Sequence, residues 1–217
     1  MLNDLIAAIK AHKVIAICRK IYSDELLLLA DALVKGGIRL MEVTFDQNDP
    51  DAEQKTGRAV AMLKSGFPGL SVGAGTVLTP RQVEIVCENG AEFIVSPNVS
   101  ADVIRRTVEL GLVSIPGAMT PTEILMAHDA GAHFVKLFPA AALGISYLKS
   151  IRSPINHVGL IATGGIGAEN LPQFLNAGCV GAGIGGSLCD RKLIASGQGE
   201  AITSLARQIT DIAAQAD

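Results

Sequence analysis

The sequence predicts a (β/α)8 TIM barrel, an α/β fold, with one extra helix at its N-terminus. Three observations predict it. Short apolar runs of strand length recur about eight times, bounded by glycine, proline or charged residues. Stretches with helical character fall between them, and several open on a capping residue or on a proline at the first helical position. The runs are continuous rather than alternating, as expected of parallel strands buried on both faces. An open doubly wound sheet is the alternative that the same alternation permits, although it usually needs fewer strands. Residues 1–217 read as a single domain, because no stretch has the composition of a linker.

The elements follow in order. Leu2, Leu5, Ile6 and Ile9 recur at helical spacing, so residues 2–12 form a helix packed across one end of the fold. The period then changes at 14–18, an apolar run ending in Arg19. Ser23 caps a helix that Gly36-Gly37 stops near Lys35. Further apolar runs lie at 40–45, 70–72, 93–95, 112–115, 134–138, 158–162 and 180–184. Helix starts are signalled by Thr79-Pro80, Ser100-Ala101-Asp102, Thr120-Pro121-Thr122-Glu123 and Glu169-Asn170-Leu171-Pro172. Gly66-Phe67-Pro68-Gly69 is a turn, and a last helix over about 200–214 closes the ring.

Composition narrows the function. Eighteen basic and 21 acidic residues give a net charge of −3, and no basic run is present to hold a phosphate backbone, which argues against nucleic acid as a partner. No apolar run approaches membrane-spanning length and no signal peptide is visible, so a cytoplasmic protein with no membrane partner is expected. Cys18, Cys87, Cys179 and Cys189 are scattered without a C-x-x-C pair and read as reduced residues. His12, His128, His133 and His157 form no metal-binding spacing.

The residue that demands an explanation is Lys136, inside the apolar run Phe134-Val135-Lys136-Leu137-Phe138-Pro139. A buried ammonium either finds a carboxylate or loses its proton. A neutral amine is a nucleophile that condenses with carbonyls to form Schiff bases. The alternative, a strand-end lysine snorkelling to solvent, needs polar surface that its neighbours do not offer. Glu42 sits likewise in Leu40-Met41-Glu42-Val43-Thr44-Phe45, with Thr44 on the same face. It reads as a general acid/base near Lys136, or as the partner in a buried ion pair that only fixes register.

In a barrel the site gathers at the C-terminal ends of the strands. The polar and glycine residues there are Arg19, Thr44, Thr76 after Gly73-Ala74-Gly75, Pro97 after Ser96, Pro116-Gly117, Phe138, Thr163-Gly164-Gly165 and Gly185-Gly186-Ser187. The two glycine turns suit an anion held by backbone N–H groups, and equally suit tight packing of loop on barrel.

These residues carry a resemblance. Gly36-Gly37, Glu42-Val43-Thr44, Gly73-Ala74-Gly75-Thr76-Val77, Phe93-Ile94-Val95-Ser96-Pro97, Pro116-Gly117, Val135-Lys136-Leu137-Phe138-Pro139, Thr163-Gly164-Gly165 and Gly185-Gly186-Ser187 run in order through nearly the whole chain. In them the sequence resembles the bacterial class I aldolases that cleave 2-keto-3-deoxy-6-phosphogluconate (KDPG) and 4-hydroxy-2-oxoglutarate (KHG). The resemblance implies a homotrimeric barrel acting on a small 2-keto acid without metal or other cofactor. Lys136 would form the Schiff base and Glu42 would shuttle protons. It further implies Thr76 at the pyruvate carboxylate, Phe138 against the substrate, and Gly164, Gly165, Gly186 and Ser187, with Gly185 beside them, at a distal phosphate; Thr44, Pro97 and Thr163 complete the expected substrate contacts. One departure stands out. Relatives specific for the phosphogluconate often carry an arginine just after the Glu-Val-Thr strand, where this chain has Asp46. Arg19 is the nearest substitute by position, with a fork suited to a carboxylate. Two readings from other classes remain beside the aldolase: a Mg²⁺-dependent transferase barrel using Asp46 and Asp49, and a non-catalytic sugar-phosphate binder.

Overall fold

The computed structural model describes residues 2–186 and 188–216. Helix α1 (Leu2–His12) leads into β1 (Val14–Arg19), α2 (Asp24–Lys35), β2 (Leu40–Thr44), α3 (Ala52–Gly66), β3 (Ser71–Gly75), α4 (Pro80–Glu88) and β4 (Phe93–Val95). Then come α5 (Ala101–Glu109), β5 (Val113–Ile115), β6 (Gly117–Ala118), α6 (Pro121–Asp129), β7 (Val135–Leu137), α7 (Ala140–Arg152) and β8 (Leu160–Thr163). The chain ends with α8 (Leu171–Asn176), β9 (Gly181–Ile184), α9 (Arg191–Ala195) and α10 (Gly199–Gln215).

The helix starts behave as their residues dictate. Thr79 and Ser100 accept hydrogen bonds from the backbone N–H of Gln82 and Val103. At α6 the box is complete: Thr120 accepts from the Glu123 N–H while Glu123 accepts from the Thr120 N–H. A cap of this kind is worth about 1 kcal/mol, and here it fixes where the chain re-enters after the strand end at β6.

The strands run in the order β5-β4-β3-β2-β1-β9-β8-β7-β6, and every pairing is parallel. The two ends of that order are separated in sequence by Pro116 alone. Proline has no N–H to give to a ladder, so the fifth expected strand becomes two segments, β5 serving β4 and β6 serving β7. Its carbonyl still accepts from the Lys136 N–H at 2.8 Å. The result is a nearly closed barrel with nine strand segments among the described residues, where about eight runs were expected. A second difference is at β3, expected over 70–72, which continues through the glycines to Gly75.

Two apolar layers follow from the strand period. Residues facing outward, such as Val14, Ala16, Met41, Val43, Val135 and Leu137, join the helices in one large cluster. Those facing inward, Ile15, Leu40, Phe93, Val95, Val113, Ile115, Phe134 and Ile161, form a separate cluster together with Leu5 and Ile9 of α1. Helix α1 therefore plugs the end of the barrel where the strands begin, and its two buried side chains contribute roughly 1.5–3 kcal/mol each. What lies on the inward face above this plug is left for polar groups.

Candidate active site

Moving two residues along β2 from Leu40 reaches Glu42, and two residues on from Phe134, just before β7, is Lys136; alternate residues share a face. Both stand above the apolar plug. Glu42 is 2% exposed and Lys136 7%. Burial pushes the Glu42 carboxyl up, against the opposing pull of the Lys136 and Arg19 charges. Burial likewise pushes the Lys136 ammonium down; Glu42 opposes that shift and Arg19 adds to it. Among the described residues neither side chain takes part in a hydrogen bond or a direct ion pair. The expected pairing is thus a coupling through space, with both groups brought toward their neutral forms.

The fit around Glu42 is tight. A Cβ on Gly75 would lie 1.7 Å from Glu42 Oε1, so the carboxylate rests on bare backbone of the neighbouring strand. Gly75→Ala is expected to displace the carboxylate and lower kcat by at least about tenfold, with a stability loss of about 1–3 kcal/mol from overpacking. Turnover and thermal unfolding of the same sample check this; unchanged kcat would show that the carboxylate's position does not matter.

Arg19, Thr163, Gly164, Gly165, Gly185 and Gly186 line one cleft of about 660 Å³ at the C-terminal ends of β1, β8 and β9. Gly164 and Gly165 have φ of +93° and +73°, a left-handed region open to glycine, and this turns the backbone of the loop after β8. Arg19 Nη1 lies 3.4 Å from where a Gly185 Cβ would be, so the guanidinium sits at the glycine turn rather than apart from it. Ser187 lies outside the described residues. Thr44, Thr76, Pro97 and Phe138 do not line this cleft. Lys136 and Glu42 do not line it either, and Phe138 stands between the lysine and the glycine turn: Lys136 Nζ is 5.0 Å from the ring centroid, and a Gly164 Cβ would touch the same ring at 3.1 Å. Thr44 is buried on the Glu42 face, and its carbonyl accepts from Tyr22 Oη at 2.8 Å. Pro97 packs its carbonyl against Gly117.

Asp46 is occupied by Lys20, 2.9 Å away, whose hydrogen bond holds its carboxyl below the usual range. Lys55 does the same for Asp49 at 2.7 Å. Sequence reasoning missed Lys20 and also missed Gln47, which donates to the Thr76 carbonyl at 2.7 Å. The Lys20 contact had a partial signal, because Arg19 is in register with Thr44, so that the residues just past both strand ends are near neighbours.

The sequence profile of the KDPG and KHG aldolase family matches residues 5–205. The chain belongs to that family. It is an aldolase, a carbon–carbon lyase. Among its relatives, the 2-dehydro-3-deoxy-6-phosphogalactonate aldolase of Escherichia coli K12 is 38% identical over 175 residues, 80% of this chain and 83% of the relative. The 2-dehydro-3-deoxy-phosphogluconate aldolase of Haemophilus influenzae is 30% identical over 211 residues, 97% of both chains. The structure of KDPG aldolase from Legionella pneumophila, with pyruvate captured at low pH as a covalent carbinolamine intermediate, matches this aldolase with a TM-score of 0.83 at 31% identity. That match covers 94% of this chain and 97% of the other. The transferase and binder readings give way to these findings, and the two aspartates that a Mg²⁺ site would need are held by lysines. No helix among the described residues is long and apolar enough to cross a membrane.

Proposed function

We propose that this aldolase cleaves a phosphorylated 2-keto-3-deoxy sugar acid to pyruvate and glyceraldehyde 3-phosphate through a Schiff base on Lys136. The observation that carries the reading is Lys136 and Glu42, both buried on the inward face of the barrel and each driven toward its neutral form, beside a glycine-turn cleft that holds Arg19. The covalent pyruvate adduct in the Legionella pneumophila structure supports the same chemistry.

The neutral Lys136 amine attacks the C2 carbonyl; the carbinolamine hydroxyl takes a proton, from the Glu42 carboxyl or from solvent, and departs as water, which leaves the cationic iminium. The ionised Glu42 then takes the proton of the C4 hydroxyl, directly or through water, and the C3–C4 bond breaks with its electron pair drawn into the iminium. An enamine and the aldehyde result. Glu42 returns the proton to C3, and hydrolysis frees pyruvate and Lys136. Thr76 holds the pyruvyl carboxylate, with Thr44, Pro97 and Thr163 shaping the pocket and Phe138 packing on the substrate. The backbone N–H groups at Gly164, Gly165, Gly185 and Gly186, with Ser187, receive the phosphate. Arg19 stands at those turns, so its charge serves the phosphate end of the substrate rather than the carboxylate end expected from sequence. Residues 1–217 act as one domain, and we propose a cytoplasmic homotrimer as the working form.

The test compares kcat/KM for KDPG, its phosphogalactonate epimer, their unphosphorylated forms and KHG. The phosphorylated compounds should lead by at least about tenfold, roughly 1.4 kcal/mol, and Arg19→Ala should shrink that lead while sparing KHG. Equal values for phosphorylated and unphosphorylated substrates would remove the phosphate from this reading and leave the lysine chemistry.

A further inference from the structure

Thr76 is the one β-branched residue among the described non-glycine residues with positive φ, at +56°. A branched side chain in that region is strained and persists only where the surroundings over-determine it. Here they do so at both ends of a single peptide plane. The Thr76 carbonyl accepts from Gln47 Nε2 at 2.7 Å, and the Val77 N–H on the same plane donates to the Val95 carbonyl at 3.2 Å. Upstream, the Gly75 carbonyl accepts from the Phe45 N–H at 2.9 Å.

Gln47 is itself aimed by a second amide. Gln82, buried at the start of α4, accepts the Leu78 N–H on its Oε1 at 2.7 Å and donates from Nε2 to Gln47 Oε1 at 3.3 Å. A backbone N–H can only donate, so the oxygen of Gln82 must face Leu78 and its NH2 must face Gln47. Gln47 is then left with its own NH2 toward Thr76. One backbone N–H sets the direction of the whole relay.

We infer that Gln47 is a positioning residue: aimed by Gln82, it clamps the strained Thr76 turn and so holds Thr76 at the angle that receives the carboxylate of the keto acid. This rests on the reading of Thr76 as the carboxylate-binding residue. Gln47 is solvent-exposed, in the loop between β2 and α3, so its replacement does not open the core. It also belongs to the acidic loop where this chain departs from the family's arginine. The loop supplies an amide clamp to the threonine instead of a cation to the carboxylate.

The experiment traps carbonyl compounds on Lys136 with borohydride and reads the half-saturating concentration by intact mass. Two probes are used, pyruvate and propanal, which has a carbonyl and no carboxylate. Gln47→Met keeps the size and removes the donor. It is expected to raise the pyruvate value about tenfold and leave propanal unchanged. Thr76→Val should raise pyruvate likewise, and the double variant should be little worse than Thr76→Val alone, because the two act as a unit. An unchanged pyruvate value in Gln47→Met, while Thr76→Val raises it, overturns the clamp. Equal weakening of both probes also overturns it, since it marks a general structural defect. If Thr76→Val leaves pyruvate untouched, the carboxylate reading of Thr76 falls and the clamp falls with it. Absence of any adduct in the parent protein refutes the Schiff-base proposal instead and takes away the clamp's purpose.

Discussion

Lys136→Met is expected to abolish cleavage, losing at least about 10⁴-fold in kcat, roughly 5.5 kcal/mol of barrier, while making the protein more stable. The two effects have one cause. The barrel interior holds an amine that is costly to charge there, and its folded-state pKa is lowered by burial. Below that lowered pKa the full penalty is present; it fades as pH rises toward the ordinary lysine value near 10.4, where the unfolded chain also loses its proton. The unfolded state binds more protons across that window, so the parent gains stability with rising pH. Methionine removes the penalty at every pH. The gain over the parent should therefore be largest near pH 6, about 1–3 kcal/mol, and vanish near pH 10–11. Thermal unfolding across that range, beside borohydride trapping with pyruvate, gives both readouts. A methionine variant that still forms the adduct, or that is less stable at pH 6, would falsify the assignment.

How legible this was in the sequence depended on the kind of interaction. Lys136 and Glu42 were visible because burial cost is a one-dimensional signal: a single ionisable residue interrupts an apolar run, whatever it meets in space. Caps such as Thr120 with Glu123 were visible because their partners lie three residues apart. The barrel itself follows from strand and helix alternation, and the structure bears it out. Two local features escaped. Pro116 reads as the end of a strand, although its carbonyl carries the ladder on to β7 and only its missing N–H splits the segment. The glycines of β3 read as a loop, although they are strand residues kept bare so that the Phe93 ring can pack on Gly73 and the Glu42 carboxylate on Gly75. The longer contacts were out of reach for another reason. Gln47 meets Thr76 across 29 positions and Gln82 across 35, and nothing in either residue's neighbours announces the partner. Arg19 was expected at the carboxylate by analogy with a missing arginine, and the closeness of its guanidinium to Gly185, 166 positions on, is a contact that neither residue's neighbours in sequence announce.

Glu42→Gln is expected to separate the two halves of the chemistry. The lysine and the iminium do not depend on a carboxylate at position 42, so the pyruvate adduct should still form. Proton exchange at the pyruvate methyl group should fall by about 10²–10⁴, the usual worth of a positioned general base. The pH dependence sharpens the test. Burial raises the Glu42 pKa, and the base must be ionised to act, so exchange in the parent should climb with pH along a limb lying above the ordinary carboxylate range. That limb should vanish in the glutamine variant, while the pH dependence of trapping, which reports Lys136, remains. Stability carries the matching sign. The native state holds its Glu42 proton more tightly than the unfolded chain, so the parent loses stability as pH rises from the ordinary glutamate value near 4.3 through the raised pKa. Glutamine has no charge to bury, and its advantage over the parent should grow through that same window. Exchange at the parent rate with the adduct intact would make Glu42 a structural partner of Lys136, and the base would then have to be water or the substrate's own phosphate.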